Sequence, residues 1–163
     1  MQTHDHHAEP QQYLTFQLSG ETFAIPILAA REILEYSKPT YVPLMPDFIQ
    51  GVMNLRGMVV PVIDLSLRFA RHATPVGRRT CIVIIEVQGE YQQQLIGILV
   101  DTVHEVLEIP DIDIEPTPQF GNKIRADFIS GMAKINSHFI ILLNVSKALS
   151  IDDMALLSNL NLS

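Results

Sequence analysis

Two aspartates offer the simplest catalytic chemistry in this sequence. Asp64 and Asp101 each follow an apolar run of the kind that forms a β-strand. Two carboxylates brought together can serve as general acid and general base. Aspartate at the end of a strand also commonly accepts hydrogen bonds from the backbone N–H groups of a turn. We favour this structural role and predict that Asp64 and Asp101 are turn or cap residues.

The single cysteine and the histidines offer a second chemistry. Cys81 could pair with a histidine as nucleophile and base, but it opens the apolar run 81–85, where a thiolate is disfavoured. His4, His6 and His7 form a pattern that binds transition metals weakly, and no distant ligand is evident. The sequence has no glycine-rich phosphate loop, GxSxG, HExxH or paired CxxC motif. We therefore predict a protein that is not an enzyme and uses no metal or cofactor.

An arginine between two glycines points instead to binding. Gly51 and Gly57 bracket Asn54 and Arg56, and glycine permits tight turns with positive φ. A loop of this kind would present Arg56 outward on a stiff support. The planar guanidinium binds carboxylates through two hydrogen bonds, and arginine is enriched among interface hot spots. An internal salt bridge, or capping of carbonyl groups, is the structural alternative, and the spacing alone does not decide between them.

The bulk composition excludes several classes of partner. The chain has 163 residues, 47% of them hydrophobic and 18% charged, which suits one large globular domain or two small ones. Its formal net charge of −7 disfavours nucleic acid and anionic lipid. No signal-peptide pattern is present, and no apolar stretch approaches the roughly 18–20 residues that a membrane span requires. We predict a cytoplasmic protein without direct membrane insertion.

Short runs rich in β-branched residues must position these side chains. Residues 14–18 alternate apolar and polar side chains, as a half-buried strand does. The predicted strands are residues 14–18, 23–27, 58–63, 79–87, 94–101 and 139–143. Strands at this spacing, with glycine and proline between them, are typical of small barrels or a sandwich. Near the C-terminus the spacing of Met154, Leu157 and Leu160 predicts a short helix.

An internal repeat divides the chain into two similar halves. Residues 31–35 (REILE) align with residues 104–108 (HEVLE), 73 positions later, and residues 48–52 align with residues 128–132, 80 positions later. Both helix-like segments, REILE and HEVLE, are therefore interpreted as strands. The repeat predicts two small β-barrels. The predicted organisation is a disordered tail (1–12), a first β-barrel (13–70), a linker (71–78), a second β-barrel (79–146) and a C-terminal helix packed on the barrels (147–163).

The segment GVMNLRGMVVPVIDL, residues 51–65, closely resembles the signature of the CheW-like family. Residues 24–33, 97–106 and 153–157 resemble further family segments, so the similarity spans about residues 14–160. The resemblance implies an all-β fold of two SH3-like five-stranded barrels with a short C-terminal helix, and no catalysis. It implies an adaptor that couples the cytoplasmic tips of chemoreceptors (methyl-accepting chemotaxis proteins) to a CheA-type histidine kinase. The kinase's regulatory domain would pack barrel to barrel with the adaptor, and the receptor tip would lie in a groove between the barrels.

The resemblance also implies roles for individual residues. Positions matching receptor-contact or signalling positions of the family are Ala30, Glu32 and Arg56. Positions expected to shape the docking loops are Gly51, Asn54, Gly57 and Gly97. The resemblance implies a location at the inner face of the membrane through receptor arrays. It leaves open whether the pathway serves chemotaxis, pilus motility or second-messenger control.

One alternative function and one segment of the chain remain outside this interpretation. A small-ligand-binding β-barrel is an alternative function, and it would require one sizeable apolar cavity. Residues 68–79 are more basic than the rest of the chain, and the resemblance assigns them no role.

Overall fold

Strands dominate the computed structural model, which describes residues 11–69, 71–88, 93–116 and 126–149. In the first half the elements are β1 (Gln11–Leu18), β2 (Glu21–Pro26), β3 (Ala30–Glu35), β4 (Ile49–Leu55), β5 (Met58–Asp64) and the short helix α1 (Leu65–Arg68). In the second half they are β6 (Cys81–Gln88), β7 (Gln93–Val100), β8 (Thr102–Ile109), β9 (Ile114–Glu115), β10 (Ile129–Ile135), β11 (His138–Leu143) and the short helix α2 (Val145–Ala148). The all-β prediction is confirmed.

The helix-like segments REILE and HEVLE lie in strands, as the repeat predicted. They form most of β3 and β8. β3 alternates half-buried and exposed side chains, which is the period of a strand with one face toward the core. Tertiary pairing therefore overrides the helix propensity of the glutamates and leucines in both segments.

Two sheets contain all the named strands. One has six strands in the order β8-β1-β2-β11-β10-β9, and the other has five in the order β3-β6-β7-β5-β4. The pairs β2–β11 and β5–β7 are parallel, whereas the remaining pairs are antiparallel. When the first five strands are matched with β6, β7, β8, β10 and β11, one sheet order maps onto the other. The internal duplication is therefore visible in the strand pairing.

Each sheet, however, takes strands from both halves of the chain. The hairpin β1–β2 joins four strands of the second half through β8 and β11, and the hairpin β6–β7 joins three strands of the first half through β3 and β5. The predicted boundaries, 13–70 and 79–146, thus do not coincide with the two sheets. The two halves have thus exchanged their first hairpins. The exchanged hairpins join the strands of the other half through the parallel pairs β2–β11 and β5–β7.

The ends of the predicted regions also differ in detail. β1 begins at Gln11, and Gln12 pairs with Glu108, so the strand starts two residues inside the predicted tail. The rest of that tail, residues 1–10, lies outside the described residues. The predicted C-terminal helix is described only as far as Leu149, and its apolar residues 154, 157 and 160 lie outside as well. Within the described ranges no helix is long and apolar enough to cross a membrane.

Both faces of the central strands are buried. The largest apolar cluster draws residues from both sheets and so lies between them. Four phenylalanine rings cross this layer in succession, with centroid distances of 6.0, 5.7 and 6.0 Å: Phe16, Phe23, Phe69 and Phe128. A second cluster contains residues of the six-stranded sheet alone, and a third contains residues of the five-stranded sheet alone. The interface between the sheets is thus a core in its own right, which supports the surface groups in a defined relative position.

Candidate docking surface

An exposed ion pair joins the two edges of the five-stranded sheet. Glu32 lies in β3, one edge strand, and Arg56 lies in the turn after β4, the other edge strand. The Arg56 guanidinium donates a hydrogen bond from Nη2 to Glu32 Oε1. The sheet therefore curls until its edges meet at this pair. Two residues that the sequence singled out separately, 24 positions apart, are in direct contact.

The backbone of the β4–β5 turn determines where Arg56 lies. Arg56 has φ of 48° and Gly57 has φ of 87°, and such a pair of positive φ values is typical of a two-residue hairpin turn. The Asn54 side chain accepts a hydrogen bond from the Gly57 N–H through Oδ1, at 2.8 Å. Asn54 and Gly57 thus shape the turn, and Arg56 adopts a left-handed conformation that a non-glycine residue rarely takes.

The Arg56 guanidinium is charged and accessible to solvent. The hydrogen bond and the negative charge of Glu32 hold the pKa of the Arg56 guanidinium above its ordinary value. The Arg56 side chain is 71% exposed, so solvent screens the pair and its contribution to stability is small. Arg56 thus forms the internal salt bridge that was the structural alternative, and its side chain also faces solvent. A docking role for Arg56 stays a prediction.

Ala30 lies on the same strand as Glu32 but faces a different neighbourhood. It is partly buried and packs against the main core. The register between β3 and β6 shifts between Ala30 and Glu32, and this bulge leaves Arg31 free to reach Glu86 on β6, at 3.1 Å. The sequence analysis assigned no role to the Arg31–Glu86 pair. The sequence shows one positive and one negative residue, but only the structure reveals the β3–β6 register that brings them together.

A surface cleft lies between the two sheets, next to this bulge. Its walls come from the segment between β2 and β3, from the β6–β7 region and from the segment around α2. The lining residues are Pro26, Leu28, Ala29, Arg31, Glu86, Val87, Gln88, Gln93, Ser130, Leu143, Asn144, Val145 and Ser146. The cleft has a volume of about 690 Å³, and Leu28 is exposed beside it. The walls combine apolar side chains with polar ones and one ion pair, a lining that can contact both faces of an amphipathic helical segment.

Two glycines allow close packing beneath these surfaces. At Gly51, φ is 145° and an added Cβ would lie 2.1 Å from the Thr40 carbonyl oxygen, so only glycine permits the bridge between Thr40 and Val52. At Gly97 an added Cβ would lie 2.8 Å from Cγ2 of Ile82. Gly51 therefore supports the loop before β4, whereas Gly97 allows β7 to pack inside the five-stranded sheet.

The two aspartates accept hydrogen bonds in separate turns. Asp64 caps α1 and is only 1% exposed. Its Oδ1 accepts from the Ser66 N–H at 3.0 Å and from the Thr74 hydroxyl at 2.8 Å, while Oδ2 accepts from the Thr74 N–H at 2.8 Å. Asp101 accepts from the Ser19 N–H through Oδ2, at 3.0 Å. Within the described part of the chain, no group of three or more potential ligand residues is arranged to hold a metal ion.

Comparison with known proteins identifies relatives along nearly the whole chain. The model of the CheW-like domain matches residues 12–153. The chemotaxis protein CheW of Klebsiella aerogenes is 35% identical over 149 residues, covering 91% of this chain and 87% of the relative. Protein FrzA of Myxococcus xanthus is 33% identical over 141 residues, covering 85% of each chain. The crystal structure of the scaffolding protein TtCheW from Thermoanaerobacter tengcongensis has a TM-score of 0.79 at 33% identity, covering 93% of this chain and 96% of that chain.

Proposed function

The chain belongs to the CheW-like family, and from this membership we propose that it is a non-enzymatic adaptor coupling transmembrane chemoreceptors to a CheA-type histidine kinase. The observation that carries the proposal is the Glu32–Arg56 pair. Arg56 lies in the family signature and Glu32 in a further family segment, and the backbone turn and the ion pair hold the two side chains together at the surface. A charged pair that the backbone fixes at the surface suits recognition of a protein partner.

The receptor contact is proposed for the surface around Ala30, Glu32 and Arg56, together with the neighbouring cleft. A receptor tip is a helical hairpin, and a helix in a groove is recognised through apolar residues at helical spacing. Arg31 and Glu86 would then set the polar contacts inside the cleft. The kinase contact is proposed to be made barrel to barrel with the kinase's regulatory domain. These contacts would hold the protein at the cytoplasmic face of the membrane without insertion.

Weak individual contacts suffice for such an adaptor. When many copies are held in an array, the effective concentration of each partner rises, and the combined affinity exceeds that of a single contact. Receptor states then control the kinase only to the extent that they differ in affinity for the assembled complex. The adaptor's role is therefore to transmit that difference through a rigid body, which the core between the two sheets supplies.

Reconstitution tests the proposal directly. Purified protein is mixed with a CheA-type kinase of the same organism and with receptor-containing membranes, and kinase autophosphorylation is measured with and without the chain. We expect a large receptor-dependent change that requires the chain and that Arg56→Ala and Glu32→Ala reduce. Arg71→Ala is the control, because Arg71 forms a different ion pair, with Glu21, that is part-buried. Circular dichroism of each variant separates loss of coupling from loss of fold.

The result that contradicts the proposal is equally specific. If well-folded components show no binding and no change in phosphorylation with any paralogous kinase of the organism, the adaptor function is wrong. Activity with a kinase of a pilus or second-messenger pathway, and with no other, would assign the protein to that pathway.

A further inference from the structure

The side chain of Arg68 lies between the two halves of the chain. Arg68 is the last residue of α1, and its guanidinium carbon lies 5.0 Å from the ring centroid of Phe48 and 4.7 Å from that of Phe128. Its Nε–H donates a hydrogen bond to the carbonyl oxygen of Ala148, the last residue of α2, at 3.1 Å. Phe48 belongs to the first half of the chain, as Arg68 does, whereas Phe128 and Ala148 belong to the second. One side chain therefore joins the two halves.

The two phenylalanines are equivalent residues of the internal repeat. They lie 80 positions apart, and each directly precedes an equivalent strand, β4 in one half and β10 in the other. Their backbone contacts also match. The Phe48 carbonyl accepts from the Asp64 N–H at 2.7 Å, and the Phe128 carbonyl accepts from the Asn144 N–H at 2.8 Å. The same local backbone arrangement therefore places both rings.

Arg68 lies close to the axis that relates the two halves. Each sheet order becomes the other when every strand is exchanged for its equivalent, so an approximate twofold rotation relates the halves. Arg68 contacts both equivalent rings and also Ala148, which lies 80 positions after it and is its own equivalent. Close packing at such an axis leaves room for one large side chain. Ala148 is 1% exposed, and its small side chain leaves that room to Arg68.

The second-half contacts of Arg68 border the cleft described above. Residues 143–146 line the cleft and lead directly to Ala148. Ser130, another lining residue, lies two positions after Phe128. The opposite wall includes the segment between β2 and β3, in the first half. The position of α2 relative to the first half therefore sets the width of the cleft.

The hydrogen bonds between strands end where the cleft begins. The parallel pairing of β2 with β11 ends at Ala24 and Leu142. Beyond that pair, Pro26 of β2 and Leu143 of β11 line the cleft. The wall that continues into α2 thus depends on side-chain contacts between the halves, and Arg68 supplies two of them, to a ring and to a carbonyl group of the second half.

We propose that Arg68 is a positioning residue that fixes α2 against the first half and so holds the cleft at the width a receptor helix requires. This inference rests on the proposed function, which assigns the cleft to the receptor contact. Arg68 is not among the described residues that line the cleft, so it acts through α2 and not by touching the partner. A cleft formed in advance lowers the cost of binding. Loss of the Arg68 side chain should therefore weaken the affinity for the receptor and leave the kinase contact unchanged.

Two measurements on Arg68→Met test this inference. Methionine keeps an unbranched apolar side chain but removes the cation and the Nε–H donor. Native-state hydrogen exchange reports on α2 directly. The amides of Ala148 and Leu149, which donate within α2 at 2.8 and 3.0 Å, are expected to exchange about tenfold faster. Isothermal titration with a receptor fragment that contains the hairpin tip is expected to show binding weaker by about five- to tenfold.

Two further variants and a second partner serve as controls. Arg71→Met makes the same chemical change three residues later, where the guanidinium binds Glu21 instead of α2, and should leave the exchange of α2 unchanged. Arg68→Lys keeps a cation for the two rings and should recover part of the protection and part of the affinity. The kinase's regulatory domain should bind wild type and Arg68→Met equally. A general loss of fold would weaken both partners, whereas a positioning role affects the receptor fragment alone.

Three results overturn the inference. Unchanged exchange of the Ala148 and Leu149 amides in Arg68→Met would show that the side chain does not hold α2. Faster exchange with unchanged affinity for the receptor fragment would show that α2 does not set the cleft. Equal losses of affinity for the receptor fragment and the kinase domain would show a general effect on the fold.

The same experiments separate this inference from the proposed function. A wild-type chain that does not bind the receptor fragment overturns the proposed function and, with it, the role of the cleft. The exchange result still decides whether Arg68 holds α2. If circular dichroism shows that Arg68→Met is unfolded, Arg68→Lys takes its place, with smaller changes expected in the same direction, and unchanged exchange and affinity in that variant overturn the inference.

Discussion

Replacing Asp64 by alanine should be the most damaging single removal of a hydrogen-bonding side chain from a turn of this protein. The buried carboxylate caps α1 through the N–H groups of Ser66 and Leu67, at 3.0 and 3.4 Å. It also accepts both the N–H and the hydroxyl of Thr74, each at 2.8 Å. Thr74 is itself buried, so solvent cannot readily replace the lost acceptor.

The magnitude follows from these contacts. Loss of a helix N-cap costs about 1 kcal/mol, and leaving the buried Thr74 donors without an acceptor costs about 1–3 kcal/mol. Asp64→Ala should therefore lower the free energy of unfolding by about 3 kcal/mol, a large share of the roughly 5–15 kcal/mol typical of a domain. Asp64→Asn keeps one acceptor oxygen but turns an NH₂ group toward the Thr74 N–H, and should cost about 1–2 kcal/mol.

Urea unfolding followed by circular dichroism measures these differences. Asn144→Ala is the internal control, since Asn144 caps α2 at the equivalent position and, among the described residues, its side chain accepts one bond, from the Lys147 N–H at 3.1 Å. That variant should lose about 1 kcal/mol. If Asp64→Ala destabilises the protein no more than Asn144→Ala does, the bonds to Thr74 contribute nothing and the argument is refuted.

Three further predictions concern charge, packing and pH. Removing Arg56 or Glu32 should change the melting temperature by only a few degrees, because the pair is exposed, and a larger change in calorimetry would contradict that view. Gly97→Ala should destabilise the protein by about 1–3 kcal/mol, measured by urea unfolding, because the added methyl group would lie 2.8 Å from a side chain of the neighbouring strand. Burial, followed by the negative charge of Asp111, raises the pKa of Tyr13 above its ordinary value of 10.0. The unfolded chain then loses this proton first, so stability should fall as pH rises above 10. Tyr13→Phe should lose less stability than wild type over that range, and identical melting-temperature profiles from pH 9 to 12 would show the shift to be absent.

Local patterns predicted most of the β-strands, although β4, β9 and β10 were not among the predicted ones. The alternation in residues 14–18 and the β-branched runs of residues 58–63 and 139–143 appear as β1, β5 and β11, because a strand with one buried face imposes a period of two on its own residues. The repeat corrected the segments whose composition favoured a helix. Arg56 was identified because a turn bracketed by glycines has few other conformations, which is also a local property.

The pairing of strands required the tertiary structure. The contiguous boundaries at 13–70 and 79–146 followed from the repeat, yet the two halves exchange hairpins through β2–β11 and β5–β7. Sheets built from contiguous halves and sheets built from exchanged hairpins would bury the same side chains and pair the same backbone groups. The periodic pattern of the sequence therefore does not distinguish them. The decision depends on how the sheets pack across the shared core.

By itself, the amino-acid sequence determined the family, the all-β class, the duplication and the turn that presents Arg56. Each of these is encoded in residue types at short spacing or in a signature of adjacent residues. Only the tertiary structure decided that Glu32 meets Arg56 and that a cleft opens beside Arg31 and Glu86. These contacts join residues that are far apart in the chain. They depend on how the sheets curve and on which strands pair. Every residue can form the same backbone hydrogen bonds, so those bonds do not determine the pairing in advance.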